Sequence, residues 1–171
     1  IKVHMVFDVK PDGRHRGRLV ADGHLTDIPL ESVYSGVVSL KGLRACIFLG
    51  ELNGMEAWGT DISSAYLCAK TSEKVCIRAG PEFGPLAGHL LIIHKALYGL
   101  KSSGRQFNHQ LQDVLATLGF NQSKAEDSIF IRKSPFKDCY EYIATYVDDL
   151  CIVVMDPEAF ISPSQQQDPP L

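Results

Sequence analysis

The string Ile143 to Val154, I-A-T-Y-V-D-D-L-C-I-V-V, constrains this chain more than any other part of it. Two apolar runs of strand-forming residues flank a pair of adjacent acids, at a place where strand propensity and burial both disfavour charge. The pattern predicts two strands, 139–147 and 150–155, joined at Asp148 and Asp149 as an antiparallel hairpin. Two arrangements offset the cost of the acids. One is a tight turn whose carboxylates bond their own backbone; the other is a metal site, and the string alone leaves both open. A partner acid for a metal site is available in Asp61, which follows the run M-E-A-W-G-T. If residues 55–62 form a strand of the same sheet, Asp61 and Asp148 are expected to point at the same ions. Hard divalent cations such as magnesium take one or two carboxylates plus substrate phosphates. Two of them about 3.5–4 Å apart stabilise the attacking and leaving oxygens of an in-line phosphoryl transfer.

Length and composition narrow the setting. With 171 residues, 45% hydrophobic and 22% charged, the chain has the make-up of an ordinary globular domain with one sizeable core. Its apolar runs fall far below the roughly 18 residues of a spanning helix, and no charged-then-apolar leader opens it, so no membrane role is expected. Five cysteines without a C-x-x-C spacing argue for reduced thiols in an intracellular setting and against a zinc framework. The first residue is Ile1 rather than methionine, which reads as an internal piece of something longer. Residues 1–18 carry five Lys or Arg against two acids, whereas residues 126–171 carry three against nine. A basic start and an acidic end suit a site for a polyanion and its cations, and equally suit ordinary solvated faces.

The remaining elements follow from periodicity and punctuation. Residues 2–8 and 14–21 read as a β-hairpin around Pro11, Asp12 and Gly13. A helix is predicted from Ser35 to Asn53, then a short buried strand over 55–62 and a turn or short helix over 63–70. Residues 75–78 and 89–94 are candidate strands, and the Gly- and Pro-rich loop 79–88 between them is expected to hold no regular structure. The strongest helix signal places Phe107, Leu111, Val114, Leu115 and Leu118 on one stripe over 104–119, opened by Ser102 and Ser103 and closed by Gly119. Residues 128–133 form a further strand. After Asp156, four prolines and the run Gln165 to Gln167 leave too little apolar surface to fold, so 1–156 is expected to be the folded region and 157–171 a disordered tail.

Four strings in order, R-G-R-L-V-A-D-G (16–23), D-I-S-S-A-Y-L (61–67), K-A-L-Y-G-L-K-S-S-G (95–104) and Y-V-D-D (146–149), resemble the reverse transcriptases of Ty1/copia-type retrotransposons over about residues 10–156. The resemblance implies an α+β fingers-palm polymerase fold, an antiparallel palm sheet backed by helices, incomplete at the C-terminus. It implies magnesium-dependent, RNA-directed DNA synthesis by two-metal nucleotidyl transfer, with manganese as an alternative ion. Asp61 falls on the first palm aspartate, and Asp148 and Asp149 on the aspartate pair, with Asp149 the less certain direct ligand and Ile62 adding a backbone carbonyl. Tyr66 falls where the family carries an aromatic ring that occupies the space of a ribose 2′-hydroxyl. Tyr98 and Gly99 fall beside the incoming nucleotide, Gly99 allowing close backbone approach. Arg16 and Arg18 fall on two basic positions expected near the triphosphate, and strand alternation puts both on one face. Lys101 is a further basic candidate.

The implied partners are an RNA template, a DNA primer and deoxynucleoside triphosphates, together with the thumb and RNase H of a retrotransposon polyprotein. The implied location is the cytoplasm, a virus-like particle or the nucleus. The chain departs from the family pattern at Asp22, where many relatives carry arginine, and at Gly104, where many carry proline. With no counterpart of a thumb after Met155, a truncated element is expected. The alternative reading is a non-catalytic remnant that keeps the palm fold and at most binds nucleic acid weakly.

Overall fold

A computed structural model describes residues 1–26 and 33–161. They divide into two compact units, one formed by Ile1–Ser35 with Ser64–Leu111 and the other by Gly36–Ser63 with Gln112 onward. Both combine helices with antiparallel sheets, as the α+β expectation requires.

The first unit opens with the expected hairpin, β1 (Val3–Val9) and β2 (His15–Ala21), paired antiparallel with Phe7 opposite Gly17 and Asp8 opposite Arg16. Its turn closes through Gly13 N–H on the Lys10 carbonyl at 2.8 Å. Asp12 ion-pairs with Arg14 at 2.6 Å, and that neighbouring guanidinium lowers the Asp12 carboxyl below its ordinary range. The inner end of the ribbon is anchored: Ala21 is buried with Val75, Leu97 and Leu100, and Ile1, Val3, Leu19 and Ile93 pack around them. A second ribbon pairs Cys76–Arg78 with Leu90–Ile92. The loop between these two strands is not structureless, as its glycines and prolines suggested. Pro81–Leu86 forms tight 3-10 turns interrupted at Gly84, whose φ of 55° marks the break.

In the second unit the helix expected from Ser35 starts later, as α1 (Leu40–Leu52), because Ser39 is its N-cap. The Ser39 hydroxyl accepts from Gly42 N–H at 3.0 Å, and the Glu126 carboxylate accepts from both the backbone N–H and the hydroxyl of Ser39. Asn53 closes the helix as its C-cap, as its place before Gly54 implied. Next comes β3 (Glu56–Asp61), followed after α2 (Ala65–Cys68) and the ribbon strands β4 (Cys76–Arg78) and β5 (Leu90–Ile92) by α3 (Ser103–Thr117), whose residues divide between the two units. Phe107, Leu111 and Leu115 of α3 are buried, while Val114 and Leu118 of the expected stripe are exposed.

Beyond α3 the chain forms β6 (Asn121–Gln122), β7 (Ile129–Lys133), β8 (Tyr140–Tyr146) and β9 (Asp149–Val154), which with β3 make one five-stranded sheet in the order β3-β9-β8-β7-β6. Every neighbouring pair in that sheet is antiparallel. The β8–β9 hairpin predicted from its two apolar runs is therefore the centre of the sheet. The strand expected to be buried, β3, lies at an edge and is largely exposed, since only β9 pairs with it.

Helix α1 packs on one face of the sheet, where Cys46, Met55, Ile129, Ala144 and Val153 form a core. The approach is close because Gly50 has no side chain: a Cβ there would lie 2.2 Å from a Val153 methyl. Within the sheet, Glu141 is fully buried and pairs with Arg132 at 2.7 Å, while the Ser134 hydroxyl donates to it at 2.9 Å. The Arg132 guanidinium also lies 4.5 Å over Phe120 and 5.3 Å over Phe160. Phe160 belongs to α4 (Pro157–Ile161), a helix within the region expected to be a disordered tail. Composition underrated these residues because one aromatic ring, stacked edge-on against Phe120 at 5.9 Å, gives them a place to bury. Residues 162–171 of the expected tail lie outside the described residues.

Candidate active site

The acids singled out in the sequence meet at one end of the second unit's sheet. β3 and β9 run antiparallel with Asp61 directly opposite Asp149, and β8 and β9 run antiparallel with Tyr146 opposite Asp149. Paired residues of adjacent strands share a face, so Asp61 and Asp149 project from the same side of the sheet. Asp148 sits in the two-residue turn between β8 and β9, and its carbonyl accepts the Ile62 N–H at 2.9 Å. Ile62 is thereby held beside the turn. The register sets Asp149 directly across from Asp61 and leaves Asp148 beside it in the turn, which takes up Val147 and Asp148. Asp61 and Asp149 are exposed and Asp148 is half-buried.

That turn carries a feature the sequence did not signal. Val147 has a φ of 57°, a left-handed conformation uncommon for a β-branched residue. Two-residue hairpin turns favour positive φ, and a glycine or asparagine normally supplies it. A strained residue held at the tip of a carboxylate-bearing hairpin is typical of functional sites.

Among the described residues, no group of three or more His, Cys, Asp or Glu side chains converges closely enough to hold a metal ion by itself. The donors gathered at this sheet end are nevertheless the kind magnesium takes: two carboxylates on one face, a third in the adjoining turn, and the Ile62 backbone beside it. Magnesium ordinarily completes its shell with water and substrate phosphates, so an incomplete protein set fits that ion.

The basic and aromatic candidates form a second group, within the first unit. Arg16, Arg18 and Val20 lie on one face of β2. The Arg18 guanidinium is 5.9 Å over the Tyr98 ring, and its Nε is buried with no hydrogen-bond partner among the described residues. Tyr98 is tied to the end of β2 by a parallel bridge to Val20, in which Ala21 N–H donates to the Tyr98 carbonyl at 2.7 Å. Next to it, Gly99 has a φ of +89°, and a Cβ at that position would fall 2.0 Å from the Ala21 carbonyl oxygen. Gly23 is equally tight, since its Cβ would fall 2.1 Å from the Gly99 oxygen. The close approach that Gly99 allows in this structure is to the end of β2, at the Ala21 carbonyl. The Tyr66 ring stands 5.0 Å from Tyr98 and 6.2 Å, edge-on, from Phe107. Arg18, Tyr66, Tyr98 and Gly99 are thus brought together. Arg16 lines a separate hollow of about 400 Å³ with Phe7, Asp8, Val9, His15 and Gly17.

The residues that hold this group escaped sequence reasoning. The Glu73 carboxylate accepts from the N–H and the hydroxyl of Ser102, and the buried Ser103 hydroxyl donates to the Leu97 carbonyl at 2.6 Å. Together they pin the 97–103 segment that carries Tyr98. Two serines ahead of a helix signal a cap, but nothing local points to Glu73 as the partner. Lys101 donates to the Thr26 carbonyl at 2.6 Å, a structural engagement in place of the basic contact considered for it.

The second unit thus offers a five-stranded antiparallel sheet with carboxylates at one end, and the first a two-stranded basic ribbon beside a Tyr-Gly turn. The chain belongs to the reverse transcriptase (RNA-dependent DNA polymerase) family, which it matches over residues 1–162. It is 30% identical over 154 residues to the transposon Ty1-LR2 Gag-Pol polyprotein of Saccharomyces cerevisiae, which covers 88% of this chain and 8% of that polyprotein. The truncated transposon Ty1-A Gag-Pol polyprotein of the same yeast is also 30% identical over 154 residues, and there the chain covers 12% of the relative. The chain therefore spans about a tenth of the length of these relatives. No solved structure matches it. Among the described residues, no helix is long and apolar enough to cross a membrane.

Proposed function

We propose that this chain is the fingers-and-palm part of an RNA-directed DNA polymerase of a Ty1/copia-type retrotransposon. The carrying observation is the register of the second unit, which sets Asp61 and Asp149 opposite each other on one face with Asp148 in the adjoining turn. Asp61, Asp148 and Asp149, with the Ile62 carbonyl, are the residues that would hold two magnesium or manganese ions. Those ions supply charge stabilisation at the attacking primer 3′-oxygen and the departing pyrophosphate.

The other roles belong to the first unit. Arg16 and Arg18 pair with triphosphate oxygens of the incoming deoxynucleotide, the unpartnered Arg18 Nε being a donor still available to one. Tyr98 and Gly99 seat the nucleotide, and Tyr66 fills the space a ribose 2′-hydroxyl needs. The partners are then an RNA template, a DNA primer and deoxynucleoside triphosphates, within a Gag-Pol polyprotein in the cytoplasm, its particles or the nucleus.

Single-nucleotide extension of a DNA primer on an RNA template tests this reading. The protein is expected to extend the primer only with magnesium or manganese, and Asp148→Asn, Asp149→Asn and Asp61→Asn to abolish extension while leaving the circular dichroism spectrum unchanged. Extension that survives Asp61→Asn would sink the site assignment, and a folded chain inert under all these conditions would identify a remnant.

A further inference from the structure

Helix α1 is apolar on two opposite sides. Gly42, Leu43, Cys46 and Gly50 turn to the sheet: Cys46 and Gly50 are buried, Leu43 packs on the same core, and a Cβ on Gly42 would lie 2.9 Å from an Ile129 methyl. A helix that packs on one side alone carries polar residues on the other. This one does not. At about 100° per residue, Phe48 is the centre of the side turned away from the sheet, with Leu40, Ala45 and Leu52 around it. Leu40 is 60% exposed, Phe48 63% and Leu52 67%. Arg44 and Glu51, both exposed, lie on one flank of Phe48. They are two turns apart, about 10 Å along the axis, which is too far for them to pair with each other. Neither side chain has an ion-pair partner among the described residues.

We propose that this outer face of α1 is a contact between two copies of the chain, in which the helix meets its own counterpart antiparallel about a two-fold axis beside Phe48. The charges select the occupant. A two-fold axis that lies in the plane of contact, across the helix, reverses its direction but keeps each flank on its own side. The midpoint between Arg44 and Glu51 falls between Ile47 and Phe48. An axis at that point therefore sets Arg44 of each copy against Glu51 of the other, with Phe48 and Leu52 of both copies closing the space between the two ion pairs. A parallel copy would set Arg44 level with Arg44 and form neither pair. A two-fold contact requires a surface complementary to itself, and an apolar centre with one cation and one anion equidistant from the axis meets that requirement. Exposed apolar side chains gathered around one ring mark such contacts. At 13 residues the helix is about 20 Å long, so the contact is small and the dimer should dissociate at about micromolar concentration. None of these residues belongs to the candidate active site, so the contact stands or falls separately from the polymerase reading.

Sedimentation velocity of the full chain at low salt, from well below to well above micromolar concentration, tests the contact. The wild type is expected to pass from monomer to dimer. Phe48→Ala should weaken the dimer about ten- to a hundredfold, the loss of a central aromatic anchor. Arg44→Glu and Glu51→Arg, each alone, place like charges together at both ends of the contact and should weaken it about tenfold, an effect that fades at high salt. Mixing the two single variants in equal amounts should restore dimers, because each mixed pair again joins opposite charges at both ends. The double variant Arg44→Glu with Glu51→Arg should dimerise as the wild type does, which separates lost contact from lost fold. Circular dichroism should be the same for all of them, since the substituted side chains are exposed. A wild type that stays monomeric throughout, a dimer indifferent to Phe48→Ala, or single variants that mixing does not restore would each overturn the proposal. The first leaves the face to a different partner, the second moves the interface elsewhere, and the third excludes the antiparallel pairing.

Discussion

Replacing Gly99 by alanine tests whether the Tyr98 turn is built on the contact between Gly99 and the end of β2. Two costs follow from the geometry. At a φ of +89° an alanine pays about 1–2 kcal/mol for a left-handed backbone that glycine adopts freely. Its Cβ would also lie 2.0 Å from the Ala21 carbonyl oxygen, so the two segments must part. Parting them breaks the 2.7 Å bond from Ala21 N–H to the Tyr98 carbonyl, worth about 0.5–1.5 kcal/mol net. The sum is about 1.5–3.5 kcal/mol, confined to the first unit. Gly59→Ala is the control, because nothing lies within 4 Å of a Cβ there. Urea unfolding followed by tyrosine fluorescence should show the loss for Gly99→Ala and less than about 1 kcal/mol for Gly59→Ala. Hydrogen exchange should locate it, with amides of residues 19–22 and 97–100 losing protection while the β8–β9 hairpin keeps its own. If Gly99→Ala unfolds within 1 kcal/mol of wild type and residues 19–22 stay protected, the contact does not hold the turn. The same displacement moves the Tyr98 ring away from Arg18, so deoxynucleotide affinity should fall with stability.

The remaining predictions concern the buried pair, the sugar gate and the thiols. Arg132→Leu leaves the Glu141 carboxylate, fully buried, without its cation and should cost about 3–5 kcal/mol, whereas Arg132→Leu with Glu141→Leu should recover most of it. A double-mutant cycle in urea that gives coupling below about 1 kcal/mol would refute that account. Tyr66→Ala should raise ribonucleotide incorporation relative to deoxynucleotide in single-turnover assays with little change in fold, and unchanged discrimination would reduce Tyr66 to a packing residue. Burial, with Cys151 nearby, pushes the Cys46 thiol up to about 11 from the ordinary 9.0. Between those values the unfolded chain has lost a proton the folded one keeps, so this contribution is full below pH 9 and is lost as pH rises towards 11. Cys46→Ala should flatten the fall in urea midpoint over that range. Iodoacetamide followed by mass spectrometry should modify exposed Cys68 and Cys76 well before Cys46.

What the sequence determined by itself was whatever short-range physics controls. The β1–β2 hairpin, the end of α1 at Asn53, the closure of α3 before Gly119 and the β8–β9 hairpin all follow from residues within a few positions of one another. Propensity, capping and alternation act at that range. The candidate acids were legible too, because a charged pair between two apolar runs stands out against its neighbours. Tertiary structure decided what depends on partners far apart in the chain. Pairing of β3 with β9 set Asp149 rather than Asp148 opposite Asp61, because a one-residue change of register exchanges the faces of a strand, and nothing local specifies it. Edge or centre of a sheet is likewise a property of neighbours, so β3 read as buried from its composition and proved exposed. Glu73 on Ser102, Phe107 on Tyr66, and Arg132 between Glu141 and the rings of Phe120 and Phe160 join residues 9 to 41 positions apart. Only folding brings such groups within bonding distance, and it is these contacts that hold the candidate residues in place.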